Sequence, residues 1–385
     1  MVHILYVPTW HPSPIQPGRG PFVADQILGQ MALGHTVGVI QPCFRSLRQL
    51  GYPGPRQREP FLADAAYPVI RTSAYRVPWE PMYRLQWIKM AIRLFGEYVH
   101  RYGKPDLIHA HGSMWAGAAA QRIADRTGIP YLLTEHSSKF LTGRLPHWGV
   151  RMAKPAFRSA ACCVAVSKVL AKSLQTAVAA GPVEVIPNSV DPDRFPIRRT
   201  EQAGPFTFAM VGGLVPIKGH QDLLAGFARA FQGRPEYRLV LVGDGPERKS
   251  LQGQALDLGI ATQVEFAGSL ERSGVSAVLR DSDALVVASH HETFSVAVIE
   301  ALATGLPVLS TRCGGPEEIL DPGDGWLVGK EDGEALVQGL RTAARDARSM
   351  APADIRARAI ARFGMAAIAS RYQALYNALL ARRDW

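Results

Sequence analysis

The stretch "ALVVASHHETFSVAVIEALATGLPVLSTRC" (residues 284–313) decides the fold. It opens on an apolar run (284–289), continues through small and apolar residues at helical spacing, and closes on a second apolar run (307–313). Short continuous runs rich in Val, Ile and Leu are typical of parallel strands that are buried on both faces. The stretch therefore predicts a strand-helix-strand unit of a parallel sheet.

Two glutamates eight residues apart give this stretch its chemical interest. Glu292 follows the first strand closely, and in open parallel sheets ligands bind beyond the carboxyl ends of the strands. The helix that begins after it presents free N–H groups, which attract phosphate. Glu300 lies inside that helix, where an unpaired buried charge is costly. It must either reach outward to solvent or meet a partner that needs a carboxylate, such as a pair of sugar hydroxyls.

The same alternation runs through the whole chain. Strands are predicted in the first half at 2–8, 36–42, 106–112, 131–136, 162–167 and 183–188, and in the second half at 206–214, 237–245, 264–268, 284–289, 307–313 and 325–329. Helical stretches in the first half lie at 22–34, 82–102, 116–127, 148–159 and 167–179. A linker-like segment rich in Pro, Asp and Arg separates the halves at 187–205. The fold class predicted is α/β, with two Rossmann-like doubly wound domains facing each other across a cleft.

Length and composition agree with a two-domain soluble protein. The chain has 385 residues and a net charge of +10. Residues 1–195 hold 22 Lys and Arg against 11 Asp and Glu, so the basic excess belongs to the first half. This favours an anionic membrane surface, an acidic acceptor or nucleic acid as a partner of that half, although an unoccupied basic face stays open. The chain contains no nucleic-acid-binding motif, so no nucleic-acid partner is expected.

Targeting and redox signals point to the cytoplasm. No apolar run approaches the roughly 20 residues of a membrane span, and "MVHILYVPTWHP" is interpreted as a first strand rather than a signal peptide. The four cysteines show no metal-ligand spacing and fit a reducing compartment. We therefore expect a cytoplasmic protein.

Glycine-rich strand ends recur in the second half. They are "VGGLVPIKGH" (211–220), "VGDG" (242–245) and "FAGSL" (266–270). Glycines let backbone amides approach an anion, and Lys218 could neutralise phosphate charge. For the first of these alone, a tight turn with a surface lysine stays open. Three such ends in one domain predict backbone walls around a flat or charged ligand.

Two other polar clusters were weighed as sites. "DSD" (281–283) resembles a metal-binding motif, but it precedes its strand and so lies at the wrong end of the sheet. No metal site and no cofactor are predicted. His109 and His111, in "HAHG", follow a strand, and both a structural role and a ligand contact stay open for them.

In order along the chain, these stretches resemble glycosyltransferase family 4, whose members have the GT-B fold and retain the anomeric configuration of the sugar. The resemblance rests on "LIHAHG", "YLLTEHSS", "VAVSKVL", "VIPNSVDPDRF", "GGLVPIKGH", "LVGDGPE", "VEFAGSL" and "HHETFSVAVIEALATGLPVLSTRCGGPEEI". It implies an acceptor domain at 1–187, a donor domain at 188–365 and a C-terminal helix (about 366–385) that returns to the first domain. It also implies metal-independent transfer from a nucleoside diphosphate sugar to a saccharide or lipid-linked saccharide acceptor.

The resemblance assigns roles to individual residues. Glu292 and His136 match residues beside the donor sugar, and Lys218 matches a lysine on the diphosphate; these three are the predicted catalytic residues. Glu300 matches the glutamate that binds the ribose hydroxyls. The other predicted donor-binding residues are the glycine-rich loop Gly18, Arg19 and Gly20, the strand-end glycines Gly212 and Gly213, the phosphate-binding amides of Phe294, Ser295 and Val296, and Gly243, Gly268 and Leu270 around the base.

One position departs from the family pattern. Family members often carry an arginine five residues before the lysine, and this chain has Gly213 there. A second cation for the diphosphate must then come from elsewhere, and Arg19 in the N-terminal loop is the expected substitute.

The predicted helix at 82–104 is amphipathic. Its expected apolar face is Leu85, Ile88, Ala91, Ile92, Phe95 and Val99, with Lys89, Arg93, Arg101 and Lys104 opposite. A helix packed on the sheet with a solvated basic back is one interpretation. The other is contact with the anionic inner face of a membrane, helped by residues 44–58 and Trp79.

Other function classes stay open from the sequence. A GT-B nucleotide-sugar epimerase would need no acceptor, a phosphorylase would use free phosphate, and a noncatalytic protein would only bind sugar nucleotides. The base and sugar of the donor cannot be predicted from these residues.

Overall fold

Parallel strands alternate with helices in this computed structural model, which describes residues 1–12, 20–45, 67–198 and 204–381. The chain divides into two units. The N-terminal unit holds Met1–Pro187 together with the C-terminal segment from Ile368 onward, and the C-terminal unit holds Asn188–Ala367.

The N-terminal unit is built on a parallel sheet of seven described strands. They are β1 His3–Pro8, β2 Thr36–Arg45, β3 Val69–Tyr75, β4 Leu107–His111, β5 Tyr131–Glu135, β6 Cys162–Ala165 and β7 Val183–Val185. Their order across the sheet is β3-β2-β1-β4-β5-β6-β7, and every pairing is parallel. This is the Rossmann order with one strand added, which confirms the predicted fold class.

The helices of this unit connect successive strands, and the last one comes from the end of the chain. They are α1 Pro21–Ala32, α2 Glu80–Tyr102, α3 Ala118–Thr127, α4 His147–Arg158, α5 Lys168–Val178 and α13 Met365–Ala381. A π-helical turn, Ser113–Gly117, precedes α3. Tyr372, Tyr376 and Leu379 of α13 are buried in the same apolar cluster as Ile4 and Tyr6 of β1. The C-terminal helix is therefore part of the N-terminal core.

One strand was missed by the sequence analysis. β3 lies at the edge of the sheet, and only its first two residues, Val69 and Ile70, are fully buried. The rest of "VIRTSAY" is partly exposed, so its apolar run is too short to stand out from the surrounding polar residues.

The buried face of α2 also differs from the predicted one. The structure buries Trp87, Ile88, Ala91, Leu94 and Tyr98, whereas the predicted core residue Leu85 is 53% exposed. Tyr98 can be buried because its hydroxyl lies 2.7 Å from His3 Nε2. Space for its ring comes from Gly38 in β2, where a Cβ atom would lie 2.2 Å from the Tyr98 hydroxyl. The helix is thus rotated so that Tyr98 packs against β2 and Leu85 is left at the surface.

The C-terminal unit repeats the design with six described strands. They are β8 Phe206–Val211, β9 Tyr237–Val242, β10 Val264–Gly268, β11 Ala284–Val287, β12 Val308–Thr311 and β13 Gly325–Val328. Their order is β10-β9-β8-β11-β12-β13, again all parallel. The helices are α6 His220–Phe231, α7 Arg248–Asp257, α8 Arg272–Arg280, α9 Val296–Ala303, α10 Pro316–Ile319, α11 Gly333–Asp346 and α12 Pro352–Phe363. β8, β9, β11 and β12 end two or three residues earlier than predicted, so the glycines after β8 and β9 lie in loops.

Asp283, from the "DSD" sequence, is a structural residue of this unit. Its carboxylate is fully buried and accepts hydrogen bonds from Arg198 at 3.3 Å, from Arg348 at 2.9 and 3.0 Å, and from the Thr207 amide at 2.9 Å. Within the described ranges, no group of three or more His, Cys, Asp or Glu side chains could hold a metal ion. The carboxylate of Asp283 instead joins β8, β11 and the arginines that flank them.

Replacing Asp283 by Ala should strongly destabilise the C-terminal unit. The change would leave Arg198, whose side chain is 3% exposed, as an uncompensated buried charge, which typically costs about 3–5 kcal/mol. Denaturant unfolding measures this loss. Asp346→Ala is the control, because Asp346 pairs with Arg345 on the exposed surface and should change little. Equal effects of the two substitutions would contradict this account of Asp283.

Candidate functional site

The loops after β8, β9 and β10 are tied together through their backbones. The Gly212 amide donates to Val242 O at 2.9 Å, and the Gly243 amide donates to Gly268 O at 2.8 Å. Gly243 has a φ of 138°, and a Cβ atom there would lie 1.9 Å from Gly212 O. Only glycine fits this position. The predicted backbone wall is therefore a close-packed loop cluster at the carboxyl edge of the sheet.

Lys218 and Glu292 meet at this edge. Lys218 Nζ donates to Glu292 Oε1 at 2.6 Å, and the Ser289 hydroxyl donates to the same oxygen at 2.9 Å. Glu292 is 8% exposed, and its backbone pairs with Cys313 and Gly315 in the loop after β12. The lysine ammonium has three donors, so it can hold Glu292 and still bind an anion. Sequence analysis placed both residues at strand ends but did not predict their pairing or the part of Ser289.

The predicted phosphate-binding amides lie where α9 begins. Ser295, the residue before α9, has a φ of 84°, which is rare for a residue with a side chain. Phe294 is buried, and Gly315 packs against its backbone, where a Cβ atom would come within 2.3 Å of the Phe294 Cα. The first amides of the helix, including that of Val296, have no acceptor inside the helix. Backbone strain of this kind is concentrated at functional sites.

Glu300 lies one turn further along α9 and is 7% exposed. It does not reach outward to solvent. Its Oε1 accepts a hydrogen bond from Arg272 at 3.3 Å. The buried carboxylate thus has a partner from within the chain, a residue that sequence analysis did not single out.

The residues predicted around the base follow β10. Gly268 has a φ of 74° and ends the strand after a register shift. Leu270, two residues later, is 36% exposed, so part of its side chain can pack against a ligand. Arg248 reaches this strand end and donates to Phe266 O at 3.1 Å. Its guanidinium would lie 3.5 Å from a Cβ atom on Gly268.

Gly213 lies in the loop after β8, where, among the residues that the structure describes, a Cβ atom would have only Asp244 O within 4 Å, at 3.7 Å. The position therefore has room for a side chain that this sequence does not supply. Gly18 and Arg19, the predicted source of a second cation, lie outside the described residues. Gly20 is described: it precedes α1 with a φ of 69°, and a Cβ atom there would lie 2.6 Å from Trp10 O.

His136 of the N-terminal unit is one of three stacked histidines. His111 Nδ1 lies 3.0 Å from His136 Nε2, and the His109 and His111 rings stack at 4.3 Å. His109 is held by Thr134 at 2.8 Å and by Tyr376 of α13 at 2.7 Å. Burial lowers the pKa of His136 to about 3 and the pKa values of His109 and His111 well below 6.5. All three rings are therefore neutral near pH 7.

This neutral stack leaves two buried ring nitrogens without a hydrogen-bond partner among the described residues, His111 Nε2 and His136 Nδ1. Because one ring of the bonded pair must donate and the other accept, the tautomer of His111 sets that of His136. The sequence predicted a catalytic role for His136 and left the roles of His109 and His111 open. It gave no sign of this coupling, which depends on the pairing of β4 with β5.

Two family models match the chain, one over each of its halves. The model of Glycosyltransferase Family 4 matches residues 20–194, and the model of Glycosyl transferases group 1 matches residues 193–361. A 2-deoxystreptamine N-acetyl-D-glucosaminyltransferase of Streptomyces fradiae is 30% identical over 277 residues, which cover 65% of each chain. A putative teichuronic acid biosynthesis glycosyltransferase of Bacillus subtilis (strain 168) is 28% identical over 356 residues, covering 88% of each.

Among solved structures, an Anabaena protein in complex with UDP and glucose superposes with a TM-score of 0.73 at 20% identity, covering 98% of this chain and 100% of the other. At that identity the likeness concerns the fold. The chain spans 60 to 65% of the length of several curated relatives that it matches.

The two doubly wound parallel sheets define the GT-B class of proteins. Because the two family models together match residues 20–361, the chain belongs to glycosyltransferase family 4. The recognition made from the ordered motifs is confirmed.

The histidine stack predicts acid sensitivity of the N-terminal unit. A histidine in the unfolded chain has a pKa near 6.5, so it binds a proton below that pH, whereas the buried rings of the folded protein stay neutral. The free energy of unfolding therefore falls as the pH falls. Each such histidine should cost about 1.4 kcal/mol between pH 7.5 and 5.5. Urea unfolding at the two pH values tests this. His136→Asn should lose about 1.4 kcal/mol less than wild type over that interval, whereas His100→Asn, an exposed position on α2, should keep the wild-type dependence. Identical pH dependence of all three proteins would refute the stack as the cause.

Proposed function

We propose that this protein transfers a sugar from a nucleoside diphosphate donor to an acceptor hydroxyl. The observation that carries the proposal is the Lys218–Glu292 pair at 2.6 Å, held at the carboxyl edge of the sheet beside the start of α9. Cleavage of the glycosidic bond builds positive charge on the sugar and negative charge on the diphosphate. Lys218 and the amides near Ser295 stabilise the diphosphate, while Glu292 faces the sugar.

The transfer retains the anomeric configuration and needs no metal ion. The departing phosphate lies on the face of the sugar that is attacked, so it accepts the proton of the acceptor hydroxyl. The lysine and the helix amides supply the charge stabilisation for which other transferases use a divalent ion. His136 is proposed as a further catalytic residue, because it matches a family residue beside the donor sugar. Glu292 is not assigned as a nucleophile, and trapping of a glycosyl-enzyme labelled at Glu292 would reverse that assignment.

The relatives suggest where to look for substrates. The teichuronic acid relative favours a place in polysaccharide or glycolipid assembly, with a saccharide or lipid-linked saccharide as acceptor. The solved neighbour with UDP and glucose makes UDP-sugars the first donors to test. The N-terminal unit is proposed to bind the acceptor.

Transfer assays test this function. UDP-, GDP- and ADP-sugars are first ranked by thermal shift, and the best donor is then incubated with candidate acceptors in the presence of EDTA. The expected result is acceptor-dependent product with the anomeric configuration of the donor, by NMR. Lys218→Met should lower kcat by about 100-fold or more, since it removes a charge that acts on the leaving group, and Lys249→Met on α7 is the control. Three outcomes would contradict this proposal. They are epimerisation of the donor without an acceptor, formation of sugar phosphate from free phosphate, and donor binding without turnover.

We further propose that the protein works in the cytoplasm, at an anionic membrane surface. No helix in the described ranges is long and apolar enough to cross a bilayer. Around the start of α2, however, Trp79 is 64% exposed, Met82 52% and Leu85 53%, and the exposed Lys89 and Arg93 continue the same helix face. Exposed apolar groups beside cations are what an interfacial contact with anionic lipid requires.

Vesicle flotation tests the membrane contact. Binding is expected to vesicles with phosphatidylglycerol and to weaken as salt rises, because screening shortens the reach of the charges. Trp79→Ser combined with Leu85→Ser should reduce binding by about tenfold. Leu256→Ser, which removes a 69% exposed leucine of the C-terminal unit, should leave binding unchanged. Equal binding to neutral phosphatidylcholine vesicles would end this proposal.

A further inference from the structure

A buried ion pair joins α9 to the start of α8. Arg272 lies 3.3 Å from Glu300, and the two side chains are 19% and 9% exposed. Removing two charges from water carries a large desolvation cost, which mutual attraction repays only in good geometry. An apolar pair would fill this position in a helix such as "VAVIEALA" without that cost. The pair therefore calls for an explanation beyond packing.

The position of Arg272 in its helix is electrostatically unfavourable. It is the first residue of α8, and the amino end of a helix repels cations by typically 0.3–1 kcal/mol. The local sequence thus gives no reason for an arginine here. The contact with Glu300 does supply a reason, because it pairs the arginine with a carboxylate in spite of its place at the helix start.

The guanidinium also lies over an aromatic ring. Its central carbon lies 5.5 Å from the centre of the Phe195 ring, and Phe195 is fully buried. Arg356 of α12 donates to the backbone oxygens of Pro192 and Phe195, and to that of Ala303 at the end of α9. The segment that carries Phe195 is therefore tied to the same helix that carries Glu300. Arg272 therefore contacts both the Phe195 ring and α9, and Arg356 joins the segments that carry them.

We propose that Arg272 is a positioning residue that orients the Glu300 carboxylate to accept hydrogen bonds from the ribose hydroxyls of the nucleotide. This inference rests on the proposed function. Glu300 follows Val296 by four residues, which is about 6 Å along the helix axis, so ribose and phosphate recognition lie in line on α9. The N–H groups of a planar guanidinium point in fixed directions, so the Arg272 contact with Glu300 Oε1 at 3.3 Å restricts the carboxylate more than the freely rotating donors of an ammonium would. The ion pair thus sets the direction of the acceptor lone pairs before the nucleotide binds.

Calorimetric titration with UDP and 2′-deoxy-UDP tests this role, because the two ligands differ only in one ribose hydroxyl. If UDP gives no thermal shift, GDP or ADP and its 2′-deoxy form take its place. Wild type should bind the ribo form at least tenfold more tightly, as expected for a hydrogen bond to a charged acceptor. Arg272→Gln should reduce this ratio to within about threefold while changing the affinity for the deoxy form by less than threefold. In a Glu300→Gln background, the same substitution should leave the ratio unchanged.

Two further variants separate positioning from fold stability. Arg229→Gln breaks an arginine–glutamate pair on the exposed surface of the same unit and should keep the wild-type ratio. Arg272→Lys keeps the buried charge, and with it the fold, but should still lower the ratio at least threefold. A wild-type ratio in Arg272→Lys and Arg272→Gln, or equal weakening of both ligands, would overturn the inference while glycosyl transfer stands. Absence of nucleotide binding by the wild-type protein would overturn the proposed function itself.

Discussion

Parallel strand pairing brings the candidate site together. Strands that run in one direction need a crossover after each of them, so all their carboxyl ends lie at one edge of the sheet. In the C-terminal unit this gathers the loops after β8 to β12 at a single place. Lys218 and Glu292, 74 residues apart, come within 2.6 Å there. The chemistry of the site follows from that geometry, since neither loop carries a complete set of groups.

The glycines give this edge its rigidity. Backbone groups of the loops after β8, β9 and β10 bond directly to one another, and a side chain at Gly243 would overlap the Gly212 carbonyl. Loops packed this closely cannot spread apart when an anionic ligand arrives. In the proposed transfer, their amide dipoles would stabilise developing charge without the cost of reorganisation. The backbone of Ser295, with its positive φ, lies at the same edge of the sheet and leads directly into α9.

Three buried carboxylates of the C-terminal unit differ in the partners that the protein gives them. Asp283 is enclosed by two arginines and a backbone amide, which saturate it, and it holds the fold. Glu292 accepts a hydrogen bond from Lys218, whose ammonium has three donors and can also bind an anion. Glu300 is matched by an arginine that stands at an unfavourable helix end. Asp283 is therefore a structural charge, whereas Glu292 and Glu300 are the two carboxylates proposed to meet the donor.

Much of the fold could be predicted because its signals are local. Apolar runs, helical spacing and glycine-rich turns lie within about ten residues, and they sufficed for two doubly wound sheets and for Glu292 and Lys218 at strand ends. The edge strand β3 was not predicted because only Val69 and Ile70 are buried apolar residues, and two residues are too few to indicate a strand. The buried face of α2 was predicted wrongly because the burial of Tyr98 depends on His3 and on the space at Gly38, and both residues are distant from Tyr98 in the sequence.

Sequence patterns alone were enough for the class of fold, for the family and for the strand ends at which the candidate site residues lie. The tertiary structure decided which of those residues are partners: Lys218 with Glu292, Arg272 with Glu300, and His111 with His136. The physical reason is that periodicity is a property of neighbouring residues. A hydrogen bond or ion pair between distant side chains instead depends on strand register and helix rotation, to within about half an ångström.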